Sequence, residues 1–188
     1  MSVGFIEWNR PGLCGAACAH MALHALAFVG SSTGDQDTIW TSIKDHTHGR
    51  STTPCCRAVP EQFAMMRDVC PGGTCSHCWW SYPTALRAAL AAKVGPGTPV
   101  KVRKSASETT ANSIIRSCLT RKGVPIVNID GGLHWVVVDD WDPVAQMVSL
   151  LDPAYEEPEW IDVGVWNDRM MVVECGVYDD KYVVVEVG

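Results

Sequence analysis

The chain has 188 residues, 47% of them hydrophobic and 19% charged, with a formal net charge of −6. That length builds a core without disulfide staples, and the acidic balance argues against a phosphate backbone as partner. No apolar run reaches the roughly 18–20 residues that cross a bilayer, and "MSVGFIEWNR" lacks the basic start and apolar stretch of a secretory signal.

A protein folded in a cytosol (a cytoplasmic protein), or a piece cut from a longer one, is therefore expected. Nine cysteines is an odd number, so in a reducing compartment they read first as packing, metal ligands or a nucleophile. The eight tryptophans suit a dense core or an aromatic groove.

In chain order, "NRPG" is a turn signal, and "CGAACAHMALHALAFV" (14–29) predicts a helix free of proline and rich in alanine. Its apolar face would carry Cys14, Cys18, Met21, Ala22, Ala25, Phe28 and Val29. A short helix is expected over 37–45, a loop over 46–56, and a helix over 59–69 with Pro60 in its first turn. A Cys- and Gly-rich loop over 70–78 follows, then helices over 82–94 and 105–122, the latter closed by Gly123.

Beyond this point β-branched runs dominate. Strands are expected over 124–129, 134–141, 147–152, 170–175 and 182–187. Helices first and a mostly antiparallel sheet after them imply an α+β fold. We expect one domain over 1–188, helical over about 14–122 and sheet over about 124–187.

The chemistry starts at "GLCGAAC" (12–18). A thiol is a nucleophile as its thiolate, and the N–H groups and dipole of a helix N-terminus favour that anion. Gly15 keeps the backbone beside Cys14 open, and Ala16 and Ala17 keep the first turn slim. Such a thiolate needs a proton partner, usually histidine, and the imidazole needs a third group to orient it.

His134 opens a strand after "DGG", and Asp152 closes the next strand before Pro153. Neighbouring antiparallel strands bring the start of one beside the end of the other, which makes His134 and Asp152 neighbours. Trp135 and Gly132, flanking His134, are candidate substrate contacts.

"CGAAC" opening a helix, a late "HWVVV" and a following "LLDP" together resemble the papain-like cysteine peptidases, and within them the bacterial double-glycine leader peptidases of peptide exporters. The family order of Cys, His, then Asp or Asn matches Cys14, His134 and Asp152. The resemblance implies a papain-like fold, no cofactor, and attack by Cys14 on the carbonyl of a protein or peptide substrate.

The family glutamine about six residues before the cysteine is replaced by Trp8 here. Asn9 is the nearest amide and the candidate oxyanion donor, together with the Cys14 N–H. Domains of this kind also recur as toxins delivered into rival bacteria and blocked by an immunity protein. That setting is one expectation, beside a leader or precursor peptidase, an amidase or transferase using the same acyl-enzyme, and a non-catalytic binding module.

Plainer roles exist for the same residues. Cys14 and Cys18 suit a core, His134 a satisfied core histidine, and Asp152 a turn. Asp139, Asp140 and Asp142 are rival acids. His20 and His24, one turn apart, form a metal-clasp pattern, though no metal is expected there. Cys55, Cys56, Cys70, Cys75, Cys78 and His77 offer a zinc or disulfide alternative, but "CSHC" has no second CxxC to complete it. Trp79 and Trp80 follow as groove or core residues.

Overall fold

The computed structural model describes residues 3–7, 13–30, 32, 34–47, 83–130, 134–155, 157–170 and 182–188. The chain runs α1 (Cys14–Ala25), α2 (Gly34–Thr47), α3 (Pro83–Val94), β1 (Val100–Ser105), α4 (Glu108–Thr120), β2 (Val124–Ile129), β3 (His134–Asp142), β4 (Met147–Leu151), β5 (Glu159–Asp162), α5 (Val163–Met170) and β6 (Tyr182–Val187). The strands form one six-stranded sheet in the order β1-β6-β2-β3-β4-β5, with every pairing antiparallel. The mixed helical and antiparallel character matches the α+β expectation.

The sheet lies between two helical layers, which explains its sequence. Val183, Val185 and Val187 of β6 join Ile126, Trp135, Val137 and Leu151 in a core with α1, α2 and α3. Tyr182 and Val184 face the other way, with Val127, Val136, Val138 and Leu150, onto Ala111 and Ile115 of α4 and Trp166 of α5. A strand covered on both faces needs no polar alternation, hence the near-continuous apolar "YVVVEV". Its one charge, Glu186, is buried and paired with Arg103 at 2.9 Å and Arg121 at 2.6 Å.

Helix α1 packs directly on β3 and on both other helices of its layer. Every residue from Cys14 to Leu23 is buried, so the small Ala and Cys side chains serve close approach on all sides rather than one apolar face. It also ends sooner than the sequence suggests. Leu26 is the C-cap, Ala27 is left-handed at φ 61°, and the Phe28 N–H bonds back to the Leu23 carbonyl at 2.8 Å. This is a Schellman-type end with alanine where glycine is usual, so the sequence carries no stop signal there. Phe28 is consequently 41% exposed and not part of the buried helix face.

Three further elements differ from expectation. Strand β1 falls inside the stretch read as helical and pairs with β6. Strand β5 and helix α5 fall inside the stretch read as sheet, and Met170, read as a strand start, ends α5. The boundary between a helical part and a sheet part is therefore not a clean one. The loop expected over 46–56 starts later than expected, because α2 runs to Thr47; the rest of it, the expected helix over 59–69, the loop over 70–78 and residues 171–175 lie outside the described residues. Among those described, no helix is long and apolar enough to cross a membrane.

Candidate active site

Three elements meet at one end of the sheet. Cys14 is the first residue of α1 and is 8% exposed. Leu13, the N-cap, makes no side-chain capping bond, and the first turn holds no acidic residue. The N–H groups and dipole at this helix end are thus not answered by a cap or a carboxylate of the helix itself. The Ala17 N–H bonds the Leu13 carbonyl at 2.9 Å, so the helix is regular from its first turn.

His134 opens β3, and its Nε2 lies 2.7 Å from Oδ1 of Asp152. The antiparallel register of β3 and β4, with Val137 opposite Leu151, brings the strand start and the residue after the strand end together. The His134 imidazole is also hydrogen-bonded to the Cys14 side chain. With Nε2 on Asp152, Nδ1 is the ring nitrogen suited to exchange a proton with sulfur.

Electrostatics favour a charged imidazole. Burial alone would lower the His134 pKa. The hydrogen bonds to Asp152 and Cys14, and the charges of both, outweigh it and push the pKa up to about 10. Asp152 is 2% exposed. Burial opposes its charge, but His134, the Ala154 N–H and Arg169 together hold its pKa below the usual carboxylate range. Its Oδ1 also accepts the Ala154 N–H at 2.9 Å.

The alternative groups are engaged elsewhere. The Cys18 thiol donates to the Trp135 carbonyl at 3.2 Å. Burial first, then the Cys14 and Asp152 charges, raise its pKa well above the ordinary thiol value, which suits a core thiol. Asp139 occupies an irregularity in the β3–β4 register, between Val138 and Asp140, and accepts the Val3 N–H at 2.6 Å. Asp140 accepts the Trp141 N–H within β3, and Asp142 accepts the Val144 and Ala145 N–H groups of the turn that follows. None of the three approaches His134 as Asp152 does.

Trp135 is 3% exposed, in the core shared with α1. Contact with substrate would require its ring to leave that core. Asn9, Gly132, Trp79, Trp80 and the cysteines at 55, 56, 70, 75 and 78 lie outside the described residues. His20 is fully buried, with Nε2 2.8 Å from the Gly30 carbonyl oxygen, a link between α1 and the loop that follows it. Among the described residues no group of three or more His, Cys, Asp or Glu is arranged to hold a metal ion.

Three supporting residues escape the sequence. Asn128 of β2 is buried and donates from Nδ2 to the His134 carbonyl at 3.0 Å, which fixes the backbone of the strand start. Gln36 of α2 donates from Nε2 to the Glu7 carbonyl at 2.6 Å. With the Val3–Asp139 bond, it fastens both ends of the segment 3–7 that leads toward Cys14. Arg169 of α5 approaches Asp152 Oδ2 at 3.7 Å. Asn128 had a readable signal, a polar residue in the apolar run "VPIVNI".

No protein-family model matches the chain, and no curated protein matches it. Among solved structures, it is similar to one described as a double glycine motif protease from an AMS/PCAT transporter in complex with the leader peptide. The identity is 15%, the alignment covers 99% of this chain and 91% of that one, and the TM-score is 0.49. At that degree of likeness the reading of the site rests on its own geometry.

Proposed function

We propose that the chain is a cysteine peptidase in which Cys14 is the nucleophile, His134 the proton carrier and Asp152 the group that orients the imidazole. One observation supports this above the others: a helix-tip thiol and a buried carboxylate are both hydrogen-bonded to one imidazole. A core histidine can be satisfied by neutral backbone groups alone. A chain of sulfur, imidazole and carboxylate is what acyl transfer needs.

In the proposed reaction the Cys14 thiolate attacks the carbonyl carbon of a peptide bond. The backbone N–H of Cys14, with the Asn9 amide as second donor, steadies the oxyanion. The imidazolium of His134 gives its proton to the leaving amine as the C–N bond breaks. Water then attacks the thioester, His134 takes its proton, and the acid product leaves with the Cys14–acyl bond broken. Asp152 keeps Nε2 engaged and stabilises the imidazolium that each step passes through. No cofactor takes part.

Peptide vinyl sulfones test this directly, because they alkylate a thiol only when it is activated and addressed as a peptidase nucleophile. The intact chain is expected to be labelled at Cys14, and His134→Ala about 10²–10⁴-fold more slowly. Labelling that ignores His134, or that falls on another cysteine, would contradict the reading. The proposal extends to the toxin setting expected from the sequence, with an inhibitor protein covering the site, which growth of cells producing the chain tests.

A further inference from the structure

Asp152 is a buried carboxylate, and one of its oxygens is fully engaged on the His134 side. Oδ1 takes both the His134 Nε2 and the Ala154 N–H. Oδ2 faces a cation instead: Arg169 Nη2, at 3.7 Å. That guanidinium is itself held in place. Nε and Nη2 reach the two oxygens of Asp130 at 3.2 and 3.1 Å, and Nη1 lies 3.7 Å from Glu159. Asp130 follows directly after β2, in a left-handed conformation at φ 52° that Asp tolerates better than most residues.

The helix carrying Arg169 is anchored too. Trp166 of α5 is fully buried and donates to Asn112 at 3.1 Å. Asn112 donates to Asn167 at 2.9 Å, and Asn167 to Glu108 at 2.7 Å. Helix α5 is thus fastened to α4, with Arg169 in its last turn, where a cation also suits the helix dipole.

We propose that Arg169 is a positioning residue for the Cys14–His134–Asp152 site. It holds the Asp152 carboxylate ionised and turned toward His134, and it ties that carboxylate to Asp130 at the end of β2, the strand that pairs with β3. This rests on the reading of Cys14 as a nucleophile paired with His134. A plain structural role, tying α5 to β2 and β5, would leave the ionisation of the site untouched.

The groups that decide the electrostatics are on four elements and the turns beside them. Asp130 follows β2, His134 is on β3, Glu159 is on β5, and on α1 Cys14 acts on His134 while the Cys18 thiol is held neutral by burial and by the Asp152 charge. β4 contributes no charged side chain. Asp162 of β5 is turned to the Gly164 N–H. Of these, Arg169 is the permanent cation set against Asp152. Without it, Asp152 takes up a proton at higher pH.

The test needs no known substrate. The rate of Cys14 alkylation by iodoacetamide is followed across acid and alkaline pH by mass spectrometry of the Cys14 peptide, with Cys18 resolved by fragmentation. The full chain, Arg169→Gln and Arg169→Lys are compared, with near-UV circular dichroism as the check on folding. In Arg169→Gln the acid limb is expected to move to higher pH, while the alkaline limb, set by His134 beside an Asp152 that is ionised there in either protein, stays in place. Arg169→Lys restores much of the acid limb, because it restores the charge.

Arg169→Met, which keeps the packing of the stem without its charge, is the second variant should the glutamine one fail to fold, and the same shift is expected. A folded uncharged variant whose limbs coincide with those of the intact chain would overturn the inference while leaving the peptidase reading in place. If Cys14 in the intact chain alkylates as an ordinary thiol, both fall together.

Discussion

His134 carries the most demanding balance in the site. Its imidazole is only 17% exposed, and burial alone would strip its charge, yet two acidic partners keep it protonated. A raised folded-state pKa has a definite sign in stability. The stabilisation is complete below pH 6.5, where folded and unfolded imidazole are both charged. It declines as pH rises, and is gone above about 10. We therefore expect the urea midpoint of the intact chain to fall between those two values, and Asp152→Asn to flatten that fall while lowering stability at neutral pH. Midpoints measured across the range check it. Activity in Asp152→Ala is expected to drop about 10²–10⁴-fold, since an imidazole with no partner at Nε2 loses both orientation and charge support. Replacing Cys18, whose thiol is spent on the Trp135 carbonyl, is expected to cost stability and leave turnover within about threefold if the replacement is serine-sized.

At the scale of elements, the site depends on how strands and helices are clamped. Asn112→Ala removes the acceptor of the Trp166 indole and the donor to Asn167. Two polar groups are left with weakened pairing, at a cost of about 1–3 kcal/mol, read as a lower urea midpoint. Gly123→Ala meets a harder limit. A Cβ there would stand 2.9 Å from both the Cys118 sulfur and the Val187 carbonyl oxygen, so the β6 end or α4 must shift. A loss of about 1–3 kcal/mol is expected, read as a lower melting temperature.

Some of these elements were readable and others not, for physical reasons. The hairpin of β3 and β4 is legible because two β-branched runs flank "DPVAQ", and antiparallel pairing then forces His134 beside Asp152. Strand β1 had a signal too. Val100 and Val102 alternate with Lys101 and Arg103, the pattern of an edge strand with one covered face. Helix α5 had none of comparable strength. It is eight residues long, too short for a helical period to stand out, and its hold on α4 comes from side chains more than fifty positions apart in sequence. Arg169 is invisible from sequence for the same reason.

Across the whole molecule, the candidate site is a meeting of layers. Cys14 comes from the helices on one face of the sheet, His134 and Asp152 from the sheet itself, and Arg169 from a helix packed on the other face. No local segment contains the candidate site, so Cys14 meets His134 only when α1 is docked on the sheet. The formal charge of −6 fits a partner that is not a polyanion, in keeping with a protein or peptide substrate. The most direct test of the central claim compares bacteria producing the intact chain, Cys14→Ala and His134→Ala, mapping new protein N-termini in each. The account predicts a set of new termini with the intact chain that is missing from both variants, and growth arrest alongside it if the chain acts as a toxin. New termini that persist when Cys14 is replaced would contradict it.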